Sequence, residues 1–118
     1  MVSGTFTLTD FSLDMPDSLS AGTANYRVVN DGPQDHEFAL LKLQPGTTAT
    51  DVLGFYRAPQ PERPFTPVGG MQALRAGESG SVVLNLQPGS VAAVCLLPDS
   101  ASGLAHLYPG MVKLFTVR

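Results

Sequence analysis

The sequence predicts a single all-β domain, a sandwich of seven or eight strands with one short helix. Three observations carry this expectation. Twelve Gly and ten Pro in 118 residues punctuate the chain with turns. Between them lie short runs in which apolar and polar residues alternate, the period of a half-buried strand. Hydrophobic residues make up 43% and charged residues 14%, so the chain can enclose a core and disorder is not expected. The length suits one domain, 1–118.

The elements follow in order. "GTFTLTD" alternates with Phe6 and Leu8 on one face. "FSLDM" alternates too, but Phe11 and Leu13 have the opposite parity. One strand holds all four inside only if a bulge or bend intervenes near Asp10. "AGTANYRVVN" puts Ala24, Tyr26 and Val28 on one face, and "NDGPQD" is a dense turn signal. Asn30 is placed to brace that turn. "HEFALLKL" carries His36, Phe38 and Leu40 on one side. Its other side, Ala39, Leu41 and Leu43, is also apolar, so this strand is expected to be covered on both faces.

The helix is expected over residues 48–57. Thr48 and Asp51 have capping-box spacing, Val52, Phe55 and Tyr56 share a face, and Pro59 stops it. The stretch 57–67 holds four prolines and reads as an irregular surface connection. "VGGMQAL" reads as either a short strand or a loop, with Gly69 and Gly70 at a turn or bulge. "GSVVLNL" alternates with Val82, Leu84 and Leu86 inward. "SVAAVCLL" is a nearly continuous apolar strand, "PDSASGLAHLYPG" is loop, and "MVKLFTVR" is the last strand.

Composition narrows the function. The net charge is −3, basic residues form no cluster and there is no Trp, so nucleic-acid binding has no electrostatic support. A lone Cys excludes an internal disulfide and every zinc site that needs two or more cysteines from one chain. No apolar run reaches the about 18 residues of a membrane span. "MVSGTFTLTD" lacks the basic and apolar regions of a signal peptide. It reads either as a native cytoplasmic start or as an initiator Met standing in for a removed leader. No pair of carboxylates has glycosidase spacing and no serine sits in a nucleophile elbow. A Cys95–His106 nucleophile pair is disfavoured by the apolar strand end that carries the cysteine. An enzyme is therefore not expected.

Two stretches remain. The first is "VVNDGPQDHEF", a strand, a turn and a His opening the next strand. The second is "PGSVAAVCLLP", then His106, then "GM" ahead of the last strand. Together they resemble the cupredoxin family, the blue-copper proteins, from about residue 22 to the end of the chain. The resemblance implies a cupredoxin-like Greek-key β-sandwich. It implies one copper ion held by His36, Cys95, His106 and an axial Met111, in the plastocyanin-like ligand order. The residue types suit that chemistry, since thiolate and thioether match Cu(I) and imidazole matches both oxidation states. Both histidines and the only cysteine of the chain fall at the family's positions.

The chain departs from the family in two places. Ten residues, "LLPDSASGLA", separate Cys95 from His106, which reads as an insertion of "DSASGLA". Glu37 stands where blue-copper proteins commonly have Asn. There it either brings charge near the metal or faces solvent.

By resemblance the expected function is one-electron transfer with transient contact to a redox partner protein. His106 would offer its ring edge to solvent, inside an apolar docking rim of Leu104, Ala105, Leu107, Tyr108 and Pro109. The resemblance implies a periplasmic, cell-surface or secreted location. Two alternatives stay open: a copper carrier, store or sensor without fast electron transfer, and a metal-free binding or structural module. The sequence leaves the oligomeric state open.

Overall fold

The computed structural model describes residues 3–10, 12–58, 61–97, 106 and 111–118. Nine strands and one helix are found among them. They are β1 (Gly4–Thr9), β2 (Ser12–Asp14), β3 (Ser18–Leu19), β4 (Gly22–Asn30), β5 (His36–Leu43), α1 (Ala49–Arg57), β6 (Phe65–Leu74), β7 (Ser79–Leu86), β8 (Gly89–Val94) and β9 (Val112–Val117). They form two sheets, ordered β2-β1-β4-β7 and β3-β9-β8-β5-β6. The chain changes sheet at β2–β3, β3–β4, β4–β5, β6–β7 and β7–β8, so sequential strands face one another in a Greek-key sandwich. None of the described helices is long and apolar enough to cross a membrane.

The inward faces follow the sequence parity. Phe6, Tyr26 and Val28 of the first sheet meet Phe38, Leu40, Val91 and Ala93 of the second in one buried cluster. Phe6 ties the layers together. Its ring stacks on Tyr26 at 4.8 Å within its own sheet and meets Phe38 of the other sheet edge-on at 5.9 Å. Aromatic pairs of this kind add about 0.5–1.5 kcal/mol beyond their buried area.

The parity conflict near Asp10 resolves as a reversal of direction. β1 and β2 pair antiparallel, Thr9 opposite Ser12, with Asp10 in the tight turn between them. Each strand keeps its own inward residues, Leu8 and Leu13. β1 also runs parallel to β4, with Leu8 opposite Asn30. Asp10 is thereby carried to the turn that follows β4, and its N–H donates to the Gly32 carbonyl at 3.2 Å.

The helix lies where the capping spacing puts it. Asp51 N–H donates to the Thr48 hydroxyl at 3.2 Å, and Thr48 N–H to the Asp51 carboxylate at 2.9 Å. Val52 is fully buried, and Phe55 and Tyr56 lie against Phe65 with ring centroids 5.1 and 5.7 Å away. This helix explains the two-faced strands. Leu41, Leu43, Ala92 and Val94 form a second cluster beneath it, on the outer side of the sheet.

The connection expected to be irregular through residue 67 ends sooner. β6 begins at Phe65, because Phe65 opposite Leu43 belongs to the cluster under the helix. Pro67 is tolerated because β6 is an edge strand. "VGGMQAL" is strand, and the register slips between Leu40–Gly69 and Leu41–Pro67, which leaves Val68 as the bulged residue. Phe11, Pro59, the insertion at 99–105 and the expected docking rim, Leu104, Ala105, Leu107, Tyr108 and Pro109, lie outside the described residues.

Candidate metal centre

β5 and β8 are antiparallel neighbours with Ala39 opposite Val94. His36 opens β5 and Cys95 follows the last residue of β8, so both stand at one end of the sheet. The backbone then closes the second histidine onto them. Cys95 N–H donates to the Met111 carbonyl at 3.1 Å, His106 N–H to Leu97 at 2.8 Å and Met111 N–H to His106 at 3.1 Å. His36, Cys95, His106 and Met111 are all fully buried.

The donor atoms of His36, Cys95 and His106 lie within 4.8 Å of one another. The two Nδ1 atoms are 3.1 Å apart, and Cys95 Sγ is 3.5 Å from His106 Nδ1 and 3.9 Å from His36 Nδ1. An ion bound in their plane at about 2.0 Å from nitrogen and about 2.3 Å from sulfur needs edges of about 3.5 Å between nitrogens and about 3.7 Å from nitrogen to sulfur. The triangle is within about half an ångström of that shape. Met111 shares the buried cluster with Cys95.

The outward nitrogens of both rings have partners of their own. His36 Nε2 is 2.7 Å from Asp10 Oδ1, and His106 Nε2 is 3.2 Å from Gln34 Oε1. Each oxygen faces an Nε2 and can accept its proton, while the two Nδ1 atoms face one another across the triangle. Gln34 Nε2 donates to Asp10 Oδ2 at 2.8 Å, joining the two outer partners. Gln34 is itself held by Asn30, which is fully buried. The Asn30 side chain donates to the Gln34 carbonyl at 2.9 Å and the Leu74 carbonyl at 2.8 Å, and accepts from Gly32 N–H at 2.7 Å.

Electrostatics follow from this arrangement. Burial pushes the Cys95 thiol up, and backbone N–H groups of Glu37 and Leu97 directed at the sulfur offset part of that rise. Without a cation the group is a protonated thiol; a bound metal removes that proton. Burial raises the Asp10 pKa, but the bonds from Gln34 and His36 outweigh it and hold the carboxyl below its usual range.

The structure therefore brings together His36, Cys95 and His106, with Met111 adjacent in the chain fold. It corrects one expectation. His106 does not present its ring edge to solvent; it is buried and its Nε2 meets Gln34. Glu37 is half-buried; its backbone N–H is directed at the Cys95 sulfur, and the charge of its carboxylate adds to the rise in the thiol pKa. Asp10 and Gln34 were not among the expected site residues. For Asp10 the parity conflict was a usable signal; for Gln34 there was none.

No protein-family model matches the chain, and no curated protein matches it by sequence. Solved structures do. Dithionite-reduced auracyanin from the photosynthetic bacterium Roseiflexus castenholzii is 18% identical, covers 98% of this chain and 95% of its own, and superposes with a TM-score of 0.63. An azurin from Methylomonas sp. strain J is 16% identical over 97% of this chain and 95% of its own, at 0.60. Auracyanin A of Chloroflexus aurantiacus, described as a "blue" copper protein, is 19% identical over 97% and 99%, at 0.59.

This is the cupredoxin fold. The match runs over nearly the whole chain, including β1 to β3, which the sequence resemblance did not reach. At these identities it establishes the cupredoxin architecture, while the site rests on the geometry above.

Proposed function

We propose that this chain is a mononuclear copper protein that passes single electrons through a type 1 site. His36 Nδ1, His106 Nδ1, Cys95 Sγ and the Met111 thioether would hold the ion. The observation that carries the reading is the buried triangle of two imidazole nitrogens and one thiol, with both outward nitrogens already bonded. Bound copper would supply one-electron chemistry there, with thiolate and thioether favouring Cu(I) and imidazole serving both oxidation states. The chain's residues hold the ligands in place. His36 and Cys95 are fixed by adjacent strands, and His106 and Met111 by backbone bonds to one another and to the Cys95 strand end. Such a frame limits rearrangement between oxidation states. The reading extends to brief contact with a redox partner and to a location outside the cytoplasm, both supported by the resemblance to blue-copper proteins.

The test is addition of Cu(II) to the purified, reduced protein. An intense visible charge-transfer band, lost in Cys95→Ser while the fold persists, is the expected outcome. A folded sample that binds no copper sinks the proposal.

One observation favours a second reading, a copper carrier or store. Both imidazoles are buried, so neither ring edge is offered to a partner. Tight Cu(I) binding without the visible band, or with slow electron self-exchange, decides for the carrier.

A further inference from the structure

We infer that Asp10, acting directly on His36 and through the Gln34 amide on His106, fixes the tautomer of both histidines and so keeps protons out of the metal triangle. The inference rests on the metal-binding reading of that triangle.

The argument starts from a polarity that can run in only one direction. An ionised carboxylate accepts hydrogen bonds and donates none. Asp10 Oδ1 therefore requires a proton on His36 Nε2, 2.7 Å away. Asp10 Oδ2 requires the NH₂ end of Gln34, 2.8 Å away. With its NH₂ committed, Gln34 turns its carbonyl oxygen to His106 Nε2, which must then carry the proton. Each neutral imidazole has one N–H, so both Nδ1 atoms are left unprotonated. A single carboxylate at the β1–β2 turn thus prepares two ligands that lie 70 residues apart in sequence.

The device works against a real alternative. When both Nδ1 atoms are unprotonated their lone pairs repel across 3.1 Å, a separation at which a proton on either one makes a hydrogen bond. The simplest relief in a metal-free site is a proton between them, from a histidine that has moved its N–H inward. That arrangement makes a good hydrogen bond and blocks the metal. The outer chain opposes it, because moving the proton inward on either histidine leaves an acceptor oxygen facing a bare Nε2. Asp10 suits this task by position. Its side chain is 19% exposed, so the carboxylate keeps its charge while both histidines stay dry.

The chain's direction gives a distinctive test. In Asp10→Asn, the oxygen stays at the Oδ1 position, since both His36 and the Gln34 backbone N–H (3.3 Å) donate there. The new NH₂ group then faces Gln34, whose amide turns over and presents its own NH₂ to His106. His106 alone should switch to the Nδ1–H form. Asp10→Asn combined with Gln34→Glu restores an acceptor at His106 and a donor–acceptor match between positions 10 and 34.

The experiment is nitrogen-15 NMR of the imidazoles in the reduced, metal-free protein in mildly alkaline buffer. The native protein should show two Nε2–H imidazoles, Asp10→Asn one of each, and the double variant two Nε2–H again. Cu(I) competition should show affinity about 10–100-fold weaker for Asp10→Asn, the usual effect of losing an outer partner, and recovered in the double variant. Two Nε2–H imidazoles in Asp10→Asn, or an Nδ1–H imidazole in the native protein, overturns the inference. An affinity loss that the double variant does not recover also counts against it, since it marks Asp10 as a plain structural support. The NMR result needs no copper, so it stands or falls separately from the copper-site proposal.

Discussion

Asn30→Ala offers a quantitative test of how the second turn supports the site. Asn30 is fully buried and makes three hydrogen bonds, to Gly32 N–H, the Gln34 carbonyl and the Leu74 carbonyl, between 2.7 and 2.9 Å. Truncation leaves all three backbone groups without that partner. Each buried orphan costs about 1–3 kcal/mol, and water recovers part of that at the two carbonyls, which suggests a total of about 3 kcal/mol. An unfolding entropy of about 2.1 cal/mol/K per residue, over the length of this chain, converts this to a fall of about 12 °C in Tm. The assay is thermal and urea unfolding of the metal-free protein. Asn30→Asp sharpens it. The carboxylate still accepts from Gly32 but sets an oxygen against two carbonyl oxygens, so it should destabilise more than Ala despite its near-identical shape. A loss under about 1 kcal/mol for Asn30→Ala, or native stability for Asn30→Asp, would refute the reasoning.

Two further predictions address the strand framework and the sulfur. Gly70 has φ +148°, and a Cβ there would lie 2.5 Å from the Phe38 carbonyl oxygen and 3.0 Å from Ala39 Cα, both backbone atoms of β5. Gly70→Ala should therefore cost about 3 kcal/mol, from left-handed strain plus overpacking, measured by urea unfolding; a neutral effect would mean that β6 does not press on β5 there. In the metal-free protein Cys95 is buried and its pKa raised, so alkylation near neutral pH should be far slower than for a free thiol and should speed up in denaturant. Fast labelling of the native state by iodoacetamide would contradict that burial.

The sequence made the strands legible because their inward residues obey a period of two, and the helix because Thr48 and Asp51 carry a local capping signal. The ligand candidates were legible because histidine and cysteine are scarce here. What it hid is long-range. Asp10 meets His36 only because β1 runs parallel to β4 with Leu8 opposite Asn30, and nothing local specifies that pairing. The start of β6 at Phe65 was hidden for a related reason. Prolines signal irregularity locally, whereas the cluster under α1, which draws Phe65 in, is tertiary.

The long spacing between Cys95 and His106 looked like the weak point of a copper site, and the structure changes its weight. Ten residues rather than about three between the two ligands add only about 1 kcal/mol of closure entropy, since the cost grows with the logarithm of length. Against this stand the bonds that hold the far end. His106 N–H reaches Leu97, its carbonyl accepts from Met111, and its Nε2 meets Gln34. At about 1 kcal/mol net for each bond, two of the three more than offset the added closure entropy. His106 is therefore placed by Leu97, Met111 and Gln34, and its tautomer by the Asp10–Gln34 chain. On this argument the length of chain between the two ligands weighs less on the site than Asp10 and Gln34 do.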